Sequence, residues 1–151
     1  MIYVIFAALL LLDRITKIWA NVWLSENGPV DFIKGLLGFT YVENKGIAFG
    51  MFSDKLYVIL PITIIVAVIL TVVFIKNKGK SKVFDTALLL LITGAAGNIA
   101  DKVARGFVVD FLEFKFIDFP VFNLADVYVC AGAALLIIYV LFFGEENENR
   151  K

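Results

Sequence analysis

Aspartate side chains stand inside or beside long apolar stretches of this sequence, where an ionisable group is costly and indicates a function. Asp110 and Asp118 are each single acids among apolar neighbours, and Asp126 follows Asn123 by three residues at the start of an uncharged segment. Two carboxylates in one desolvated site repel when both are ionised, so one keeps a proton at neutral pH. The ionised partner can take a proton from water while the protonated one donates to a carbonyl oxygen, which is the chemistry of peptide hydrolysis.

The residue types exclude several other kinds of site. The chain has no His and one Cys, Cys130, which excludes a His-based catalytic triad, an all-Cys/His zinc site and an intrachain disulfide. We therefore expect no metal ion and no cofactor. The 14 Lys and Arg balance 14 Asp and Glu, so no basic field indicates a nucleic-acid partner.

The spacing of the acids leaves two questions open. A proton or cation pathway would suit the same positions as hydrolysis does. Spacing alone also does not decide whether Asp110 or Asp118 is the partner of Asp126.

Some of the remaining polar residues have structural explanations. Asp13 and Lys17 lie one helical turn apart with the acid first, the favourable order for an ion pair that orients the first apolar segment. Arg14 points about 100° away from Asp13 on a helix, and we assign it no role. Asn123 followed by Asp126 resembles a helix N-cap with an acid at the third helical position, where the helix dipole favours an ionised carboxylate.

A run of small residues from Gly94 to Gly97 would let another helix approach closely. Asn98 and Asp101 follow it and share one helix face. Packing and hydrogen bonding would explain this face without catalysis, and Lys102 and Arg105 would then be outer-surface cations.

Four apolar segments predict an all-α membrane bundle. Hydrophobic residues make up 61% of the chain and charged residues 19%, with a mean hydropathy of +0.90, values outside the range of soluble domains. Crossing about 30 Å of hydrocarbon takes a helix of about 20 residues. We predict spans at about 1–24, 56–75, 83–104 and 124–144 within a single domain, 1–151.

Charge in the connecting segments predicts the orientation. Residues 76–82 hold four Lys and no acid, and short basic loops stay cytoplasmic. Both termini are then cytoplasmic, and residues 24–55 and 101–126 lie on the outer side. Within the second outer segment, apolar and charged residues alternate from Leu112 to Phe116, which predicts a short half-buried strand.

Five segments, in order, resemble the motif series of the prolipoprotein signal peptidases, the signal peptidase II family. Asp13-Arg-Ile-Thr-Lys17 resembles D-Q-x-T-K, and Asn44-Lys-Gly46-Ile-Ala48-Phe49-Gly50 resembles N-x-G-x-A-F/W-G. Gly97-Asn98-Ile-Ala-Asp101-Lys102 resembles G-N-x-x-D-R, Val108-Val109-Asp110-Phe111 matches V-V-D-F, and Pro120-Val-Phe122-Asn123-Leu-Ala125-Asp126 matches F-P-x-F-N-x-A-D. Arg14 departs from the usual Gln and Lys102 from the usual Arg, which puts any bidentate contact at position 102 in question.

The resemblance implies an aspartic endopeptidase that cleaves diacylglyceryl-modified bacterial prolipoproteins before the lipidated Cys. It implies that Asp110 and Asp126 are the catalytic pair and passes over Asp118. It further implies that the remaining motif residues line or brace the site, namely Asp13, Lys17, Asn44, Gly46, Asn98, Asp101, Lys102, Asn123 and Ala125.

The family also implies a place and partners for the chain. We expect a small β-sheet cradle on the outer face of the four-helix bundle and a site at the outer leaflet of the bacterial cell membrane. The expected partners are the lipidated substrate, whose acyl chains stay in the bilayer, and the membrane lipids, with the chain acting as a monomer.

The competing hypothesis is a small proton- or cation-coupled transporter subunit that uses the same acids. Internal repeats and broken helices would favour it, and the sequence shows neither. A purely structural assembly factor is a third possibility, in which amide replacement of the acids would be tolerated.

Overall fold

The computed structural model describes residues 2–46, 56–79 and 81–148. The chain begins with helix α1 (Ile2–Trp19), a π-helical segment (Ala20–Leu24) and the short helix α2 (Ser25–Asn27). Strands β1 (Val30–Ile33) and β2 (Leu37–Asn44) precede helices α3 (Leu56–Asn77) and α4 (Lys82–Arg105), and strand β3 (Val108–Phe114) precedes helix α5 (Leu124–Glu148). Residues 47–50, the last four of the segment that resembles N-x-G-x-A-F/W-G, lie outside the described part of the chain.

Three helices in the described ranges are long and apolar enough to cross a membrane. They are α3 from Tyr57, α4, and α5 as far as Phe143. Helix α1 has 18 residues but carries Asp13, Arg14 and Lys17 in its second half. Its predicted crossing of the membrane therefore stays a prediction.

Small residues bring α4 and α5 into close contact. A side chain at Gly94 would collide with the backbone oxygen of Ala125, and one at Gly132 would lie 2.8 Å from the backbone oxygen of Ala87. A side chain at Gly97 would lie 2.6 Å from a carboxylate oxygen of Asp13 on α1. The close helix approach predicted from the small residues at 94–97 is thus confirmed, and it brings three helices together at the level of the polar residues.

Helix α4 ends where the chain must turn into the sheet. Gly106 adopts φ 80°, a left-handed conformation that favours glycine, and its N–H donates to the backbone oxygen of Lys102 at 3.0 Å. This sharp end leads directly into β3, so Asp110 lies beside the last turn of α4.

The described strands form one antiparallel sheet in the order β1-β2-β3. Two residues of β2, Thr40 and Tyr41, stand opposite the single Phe111 of β3, which is a β-bulge. The Phe111 N–H turns away from β2 and donates to the backbone oxygen of Phe122 at 2.9 Å. The bulge therefore lies next to Asp110 and ties β3 to the segment that leads into α5.

Strand β3 has an apolar side and a polar side. Val109 and Phe111 pack against Ala20 and Leu24 of the π-helical segment, whereas Val108 and Asp110 face the opposite way. The prediction of a strand at Leu112 to Phe116 was wrong in its bounds, because β3 runs from Val108 to Phe114 and Phe116 is exposed beyond its end. Backbone pairing with β2 and Phe122 decides these bounds, and the side-chain alternation does not reveal it.

Enlarging Gly94 should loosen the contact between α4 and α5. We expect Gly94→Ala to lower the free energy of unfolding by about 1–3 kcal/mol, because its methyl group has no room against the backbone of α5. Thermal melting in detergent measures the change. Ala100→Leu adds more volume on an exposed face of the same helix and is the control. Equal melting of the parent and Gly94→Ala would contradict the close contact.

Candidate active site

A cavity of about 900 Å³ opens between the sheet, α4 and the start of α5. Asp110 of β3 and Asp126 of α5 both line it, and so do Asn98 and Lys102 of α4. The side walls are aromatic and aliphatic, with Phe114, Phe119, Pro120, Phe122, Val127 and Val129 among the lining residues. The structure therefore brings the two predicted catalytic acids to one largely apolar space.

Asp110 is buried at the polar side of β3, with 2% of its surface exposed. Its Oδ2 accepts a hydrogen bond from Asn44 Nδ2 at 2.8 Å, and its Oδ1 accepts one from Asn123 Nδ2 at 2.6 Å. Burial raises the pKa of this carboxyl to about 6, the two amide donors oppose the rise, and the negative charge of Asp126 adds to it.

Asp126 lies in the first turn of α5 and closes a capping box with Asn123. The backbone N–H of Asp126 donates to Asn123 Oδ1 and the backbone N–H of Asn123 donates to Asp126 Oδ2, both at 3.1 Å. The predicted N-cap is thus confirmed. The other oxygen, Oδ1, accepts from Asn98 Nδ2 at 2.8 Å and lies where the helix dipole favours an ionised carboxylate.

Three asparagines hold the two carboxylates in the same way. In each amide an N–H donor occupies the oxygen: Gly46 N donates to Asn44 at 2.9 Å, Lys17 Nζ donates to Asn98 at 2.9 Å, and Asp126 N donates to Asn123. Since an amide oxygen only accepts and an NH₂ group only donates, the NH₂ group must turn toward the carboxylate. The orientation of all three amides is fixed by their neighbours.

Lys17 is fully buried at the centre of a charged network. Its Nζ lies 2.9 Å from Asp13 Oδ2, 3.0 Å from Asp101 Oδ2 and 2.9 Å from Asn98 Oδ1. The contact with Asp101 Oδ2 is an ion pair without hydrogen-bond geometry. The predicted Asp13–Lys17 pair is confirmed, and its partners on α4 connect it to Asp126.

Asp13 also contacts the helix that carries Asp126. Its Oδ1 accepts the backbone N–H of Ala125 at 3.0 Å, one of the N–H groups in the first turn of α5 that have no partner within the helix. Ala125 is fully buried, and its side chain lies close to Gly97. A side chain at Gly97 would contact the Ala125 methyl group at 3.4 Å.

Arg14, to which we assigned no role, belongs to this charged network. Its Nη1 lies 2.6 Å from Asp101 Oδ1 in an ion pair with the far side of the network. The angle from Asp13 does not indicate this contact, but Arg14 lies three residues before Lys17, and helix residues three apart are neighbours. That spacing was the signal that could have placed Arg14 beside a partner of Lys17.

Lys102 is not an outer-surface cation, because 8% of its surface is exposed and it lines the cavity with both acids. Its ammonium makes no ion pair or hydrogen bond with another residue that the structure describes. Arg105 is partly buried and faces Tyr41 of β2. The alternative in which both cations lie on the outer surface does not hold, because the sheet covers this end of α4 and the spacing of residues on the helix does not indicate that cover. The position of Lys102 instead agrees with the expectation from the family resemblance that it lines the site.

The structure also places two other residues that we considered, Asp118 and Cys130. Asp118 is exposed in the segment between β3 and α5 and does not line the cavity. Cys130 lines the cavity one helical turn after Asp126, a place that the apolar sequence around it did not indicate. The structure thus separates Asp110 from Asp118, which spacing alone did not.

Replacing Asn123 in two ways should separate its two contacts. Ser can still cap α5 but cannot reach Asp110, whereas Ala can do neither. We expect Asn123→Ala to be less stable than Asn123→Ser by about 1 kcal/mol in thermal melting in detergent. In both variants the pKa of Asp110 should rise further, because a donor to the ionised form is lost, and carboxyl ¹³C titration measures that shift. An unchanged Asp110 titration in both would contradict the amide contact.

Comparisons with known proteins agree with this arrangement. The sequence model of the signal peptidase (SPase) II family matches residues 5–142. A lipoprotein signal peptidase of Clostridium tetani is 40% identical over 135 residues, which cover 87% of this chain and 86% of that protein. The lipoprotein signal peptidase of Clostridioides difficile is 40% identical over an alignment of 154 positions, which covers 99% of this chain and all of that protein.

Solved structures show the same fold. A bacterial membrane enzyme determined by the in meso method at 2.3 Å has a TM-score of 0.88 and 32% identity, covering 99% of this chain and 91% of its own. A second, at 1.9 Å, has a TM-score of 0.85 and 33% identity, covering 94% of this chain and 93% of its own. The predicted class is thereby confirmed at the level of a mainly helical membrane protein with a small antiparallel sheet. With a family match over most of its length, this chain belongs to the signal peptidase II family of aspartic peptidases.

Proposed function

We propose that this chain removes signal peptides from bacterial prolipoproteins by hydrolysing the peptide bond before a Cys that carries diacylglycerol, with Asp110 and Asp126 as the hydrolytic pair. The observation that carries the proposal is that both acids line one cavity and that each accepts hydrogen bonds from oriented neutral amides. Family membership and the relatives, which are named lipoprotein signal peptidases, support the reaction.

The surroundings of the two acids suit Asp126 to act as the general base and Asp110 as the general acid. Asp126 lies in the first turn of α5, where the helix dipole favours the ionised form, so it is suited to take a proton from water. Asp110 is buried and its pKa is raised to about 6, so it is suited to hold the proton that the pair shares.

The reaction then consumes one water molecule and regenerates the pair. Asp126 takes a proton from water, whose oxygen bonds to the scissile carbonyl carbon, while Asp110 donates its proton to the carbonyl oxygen. When the C–N bond breaks, Asp126 returns a proton to the leaving amine of the Cys and Asp110 takes one from a hydroxyl of the intermediate. The products are a carboxylic acid and an amine, and no metal ion is required.

We further propose that α1 is a fourth span, that both termini are cytoplasmic and that the site lies at the outer leaflet of the bacterial cell membrane. The basic residues 76–82 support this orientation. The exposed aromatic rings of Trp19 and Trp23 stack 6.0 Å apart at the end of α1, as suits an interface belt. The substrate's acyl chains would stay among lipids while its peptide reaches the cavity.

We propose that the active unit is a monomer, because one chain supplies both acids and all the amides that hold them. The family membership and the named relatives support a peptidase and give no support to the proton- or cation-coupled transporter.

Amide replacement tests the pair directly. Asn keeps the size and one acceptor oxygen of Asp but cannot exchange a proton at neutral pH. Asp110→Asn and Asp126→Asn should each lower cleavage of a purified diacylglyceryl-modified prolipoprotein in detergent by at least roughly 10²–10⁴-fold. The double variant should be little worse, because the two acids act as a unit.

Asp118→Asn is the matched control for the pair and should leave most of the cleavage intact. Each variant should first be shown to melt close to the parent, because Asp126 also caps α5. Near-parental cleavage by a folded Asp110→Asn or Asp126→Asn protein would refute the proposed role of that acid in the mechanism.

Reporter fusions test the orientation. Fusions after Lys34 in the β1–β2 turn and after Lys82 at the start of α4 should report opposite sides of the membrane, with Lys82 cytoplasmic. The same side for both fusions would show that the four-span topology is wrong.

A further inference from the structure

Arg14 connects the surface of α1 to a buried charge that the hydrolytic pair does not touch. Its side chain is 44% exposed, yet Nη1 lies 2.6 Å from Asp101 Oδ1, and the Asp101 side chain is 1% exposed. The second oxygen of Asp101 lies 3.0 Å from Lys17 Nζ. Asp101 therefore stands between two cations of α1, one buried and one partly exposed.

Arg14 completes the charge balance of this network. Asp13 and Asp101 together carry two negative charges, and Lys17 supplies one positive charge, so the buried part alone has a net charge of −1. The guanidinium of Arg14 brings the sum to zero. An uncompensated charge in a buried network is costly and acts over a longer range than one at the surface.

The balance matters because Lys17 is one amide away from Asp126. The ammonium donates to Asn98 Oδ1 at 2.9 Å, and Asn98 Nδ2 donates to Asp126 Oδ1 at 2.8 Å. If Arg14 were lost, the full charge of Asp101 would rest on Lys17 alone and compete with Asn98 for the ammonium. Both the position of the amide and the potential at Asp126 would change.

Other charged groups face the hydrolytic pair or Asp101, and the loss of Arg14 leaves them unchanged. Along the cavity and on the elements packed around it they are Lys102, Glu43, Lys45, Asp13 and Lys17, and Arg105 follows Asp101 by one turn of α4. Arg14 itself neither lines the cavity nor contacts the pair. A change at Arg14 therefore reaches the pair through Asp101 and Lys17.

We propose that Arg14 is a positioning residue of the peptidase: by neutralising Asp101 it keeps Lys17 on Asn98 and keeps uncompensated negative charge away from Asp110 and Asp126. This proposal rests on the proposed function of the pair. The proposal predicts the direction in which the pH range of activity moves when Arg14 is lost. An extra negative charge makes both protonation steps of the pair occur at higher pH, so the pH range of activity moves upward as a whole.

The test compares charge and geometry at the same contact. Arg14→Gln should move both limbs of the pH profile of kcat/KM upward by about half a pH unit or more. Arg14→Lys keeps the charge and should leave the limbs near the parental positions. Asp101→Asn removes the opposite charge and should move them downward, and the double variant Arg14→Gln/Asp101→Asn should bring them back toward the parent.

Lys34→Gln removes one exposed cation from the β1–β2 turn, away from the network, and is the control for net charge. A merely structural role of Arg14 would lower the rate without moving the limbs. The proposal would be overturned if the limbs of the pH profile of Arg14→Gln stayed at the parental positions, or if Arg14→Lys shifted them as far as Arg14→Gln does.

A second readout does not depend on catalysis. Carboxyl ¹³C titration of Asp110 should shift upward in Arg14→Gln and downward in Asp101→Asn. Absence of both shifts would overturn the role of Arg14 even in an active enzyme. Absence of cleavage by the parent would instead refute the proposed function, while the titration would still decide whether Arg14 acts on the pair.

Discussion

The buried ammonium of Lys17 is the group on which the site depends. A charge removed from water must be met by several partners, because each unsatisfied proton would cost free energy. Lys17 donates to Asn98 Oδ1 and forms ion pairs with the carboxylates of Asp13 and Asp101. Meeting this demand requires α1 and α4 to approach at one level, and it explains why Gly97 lies where a side chain would strike Asp13.

The same contacts fix the start of α5. Asp13 uses one oxygen for Lys17 and the other for the backbone N–H of Ala125, so the ion pair on α1 also caps the helix that carries Asp126. Asn98 uses its oxygen for Lys17 and must therefore present its NH₂ group to Asp126. A stability requirement inside the bundle thus becomes a geometric constraint on an acid at the cavity.

Local parts of this arrangement could be predicted from the sequence, whereas contacts between distant segments could not. The Asp13–Lys17 pair, the capping box of Asn123 and Asp126, and the close approach at Gly94 and Gly97 depend on helical spacing and residue size, both of which can be read along the chain. The choice of Asp110 over Asp118 came from family resemblance.

The features that the sequence did not predict depend on the sheet and on contacts between helices. The burial of Lys102 and the bounds of β3 follow from backbone pairing with β2, which side-chain alternation does not encode. Arg14 was misjudged because its partner lies on another helix, 87 positions along the chain. Strand β2 itself has few alternating residues, and the bulge opposite Phe111 interrupts its register.

Neutral amides beside the two acids satisfy two requirements of the site that oppose each other. Hydrolysis by a carboxylate pair needs fixed geometry, yet it also needs one acid to keep a proton near neutral pH. A cation in direct contact would fix an aspartate but lower its pKa by about 1–3 units, which favours ionisation of both acids. An amide NH₂ group holds a carboxylate oxygen with a weaker bias toward the charged form.

The structure keeps the cation close enough to orient the amide and separated from the acid by that amide. Lys17 contacts Asn98, and Asn98 contacts Asp126. On the other side, Asn44 and Asn123 hold Asp110, and burial still raises its pKa to about 6. The net bias on the pair is therefore set by burial and by charges at a distance, which is why the balance of a charged network that does not line the cavity can determine the pH range in which the pair shares one proton.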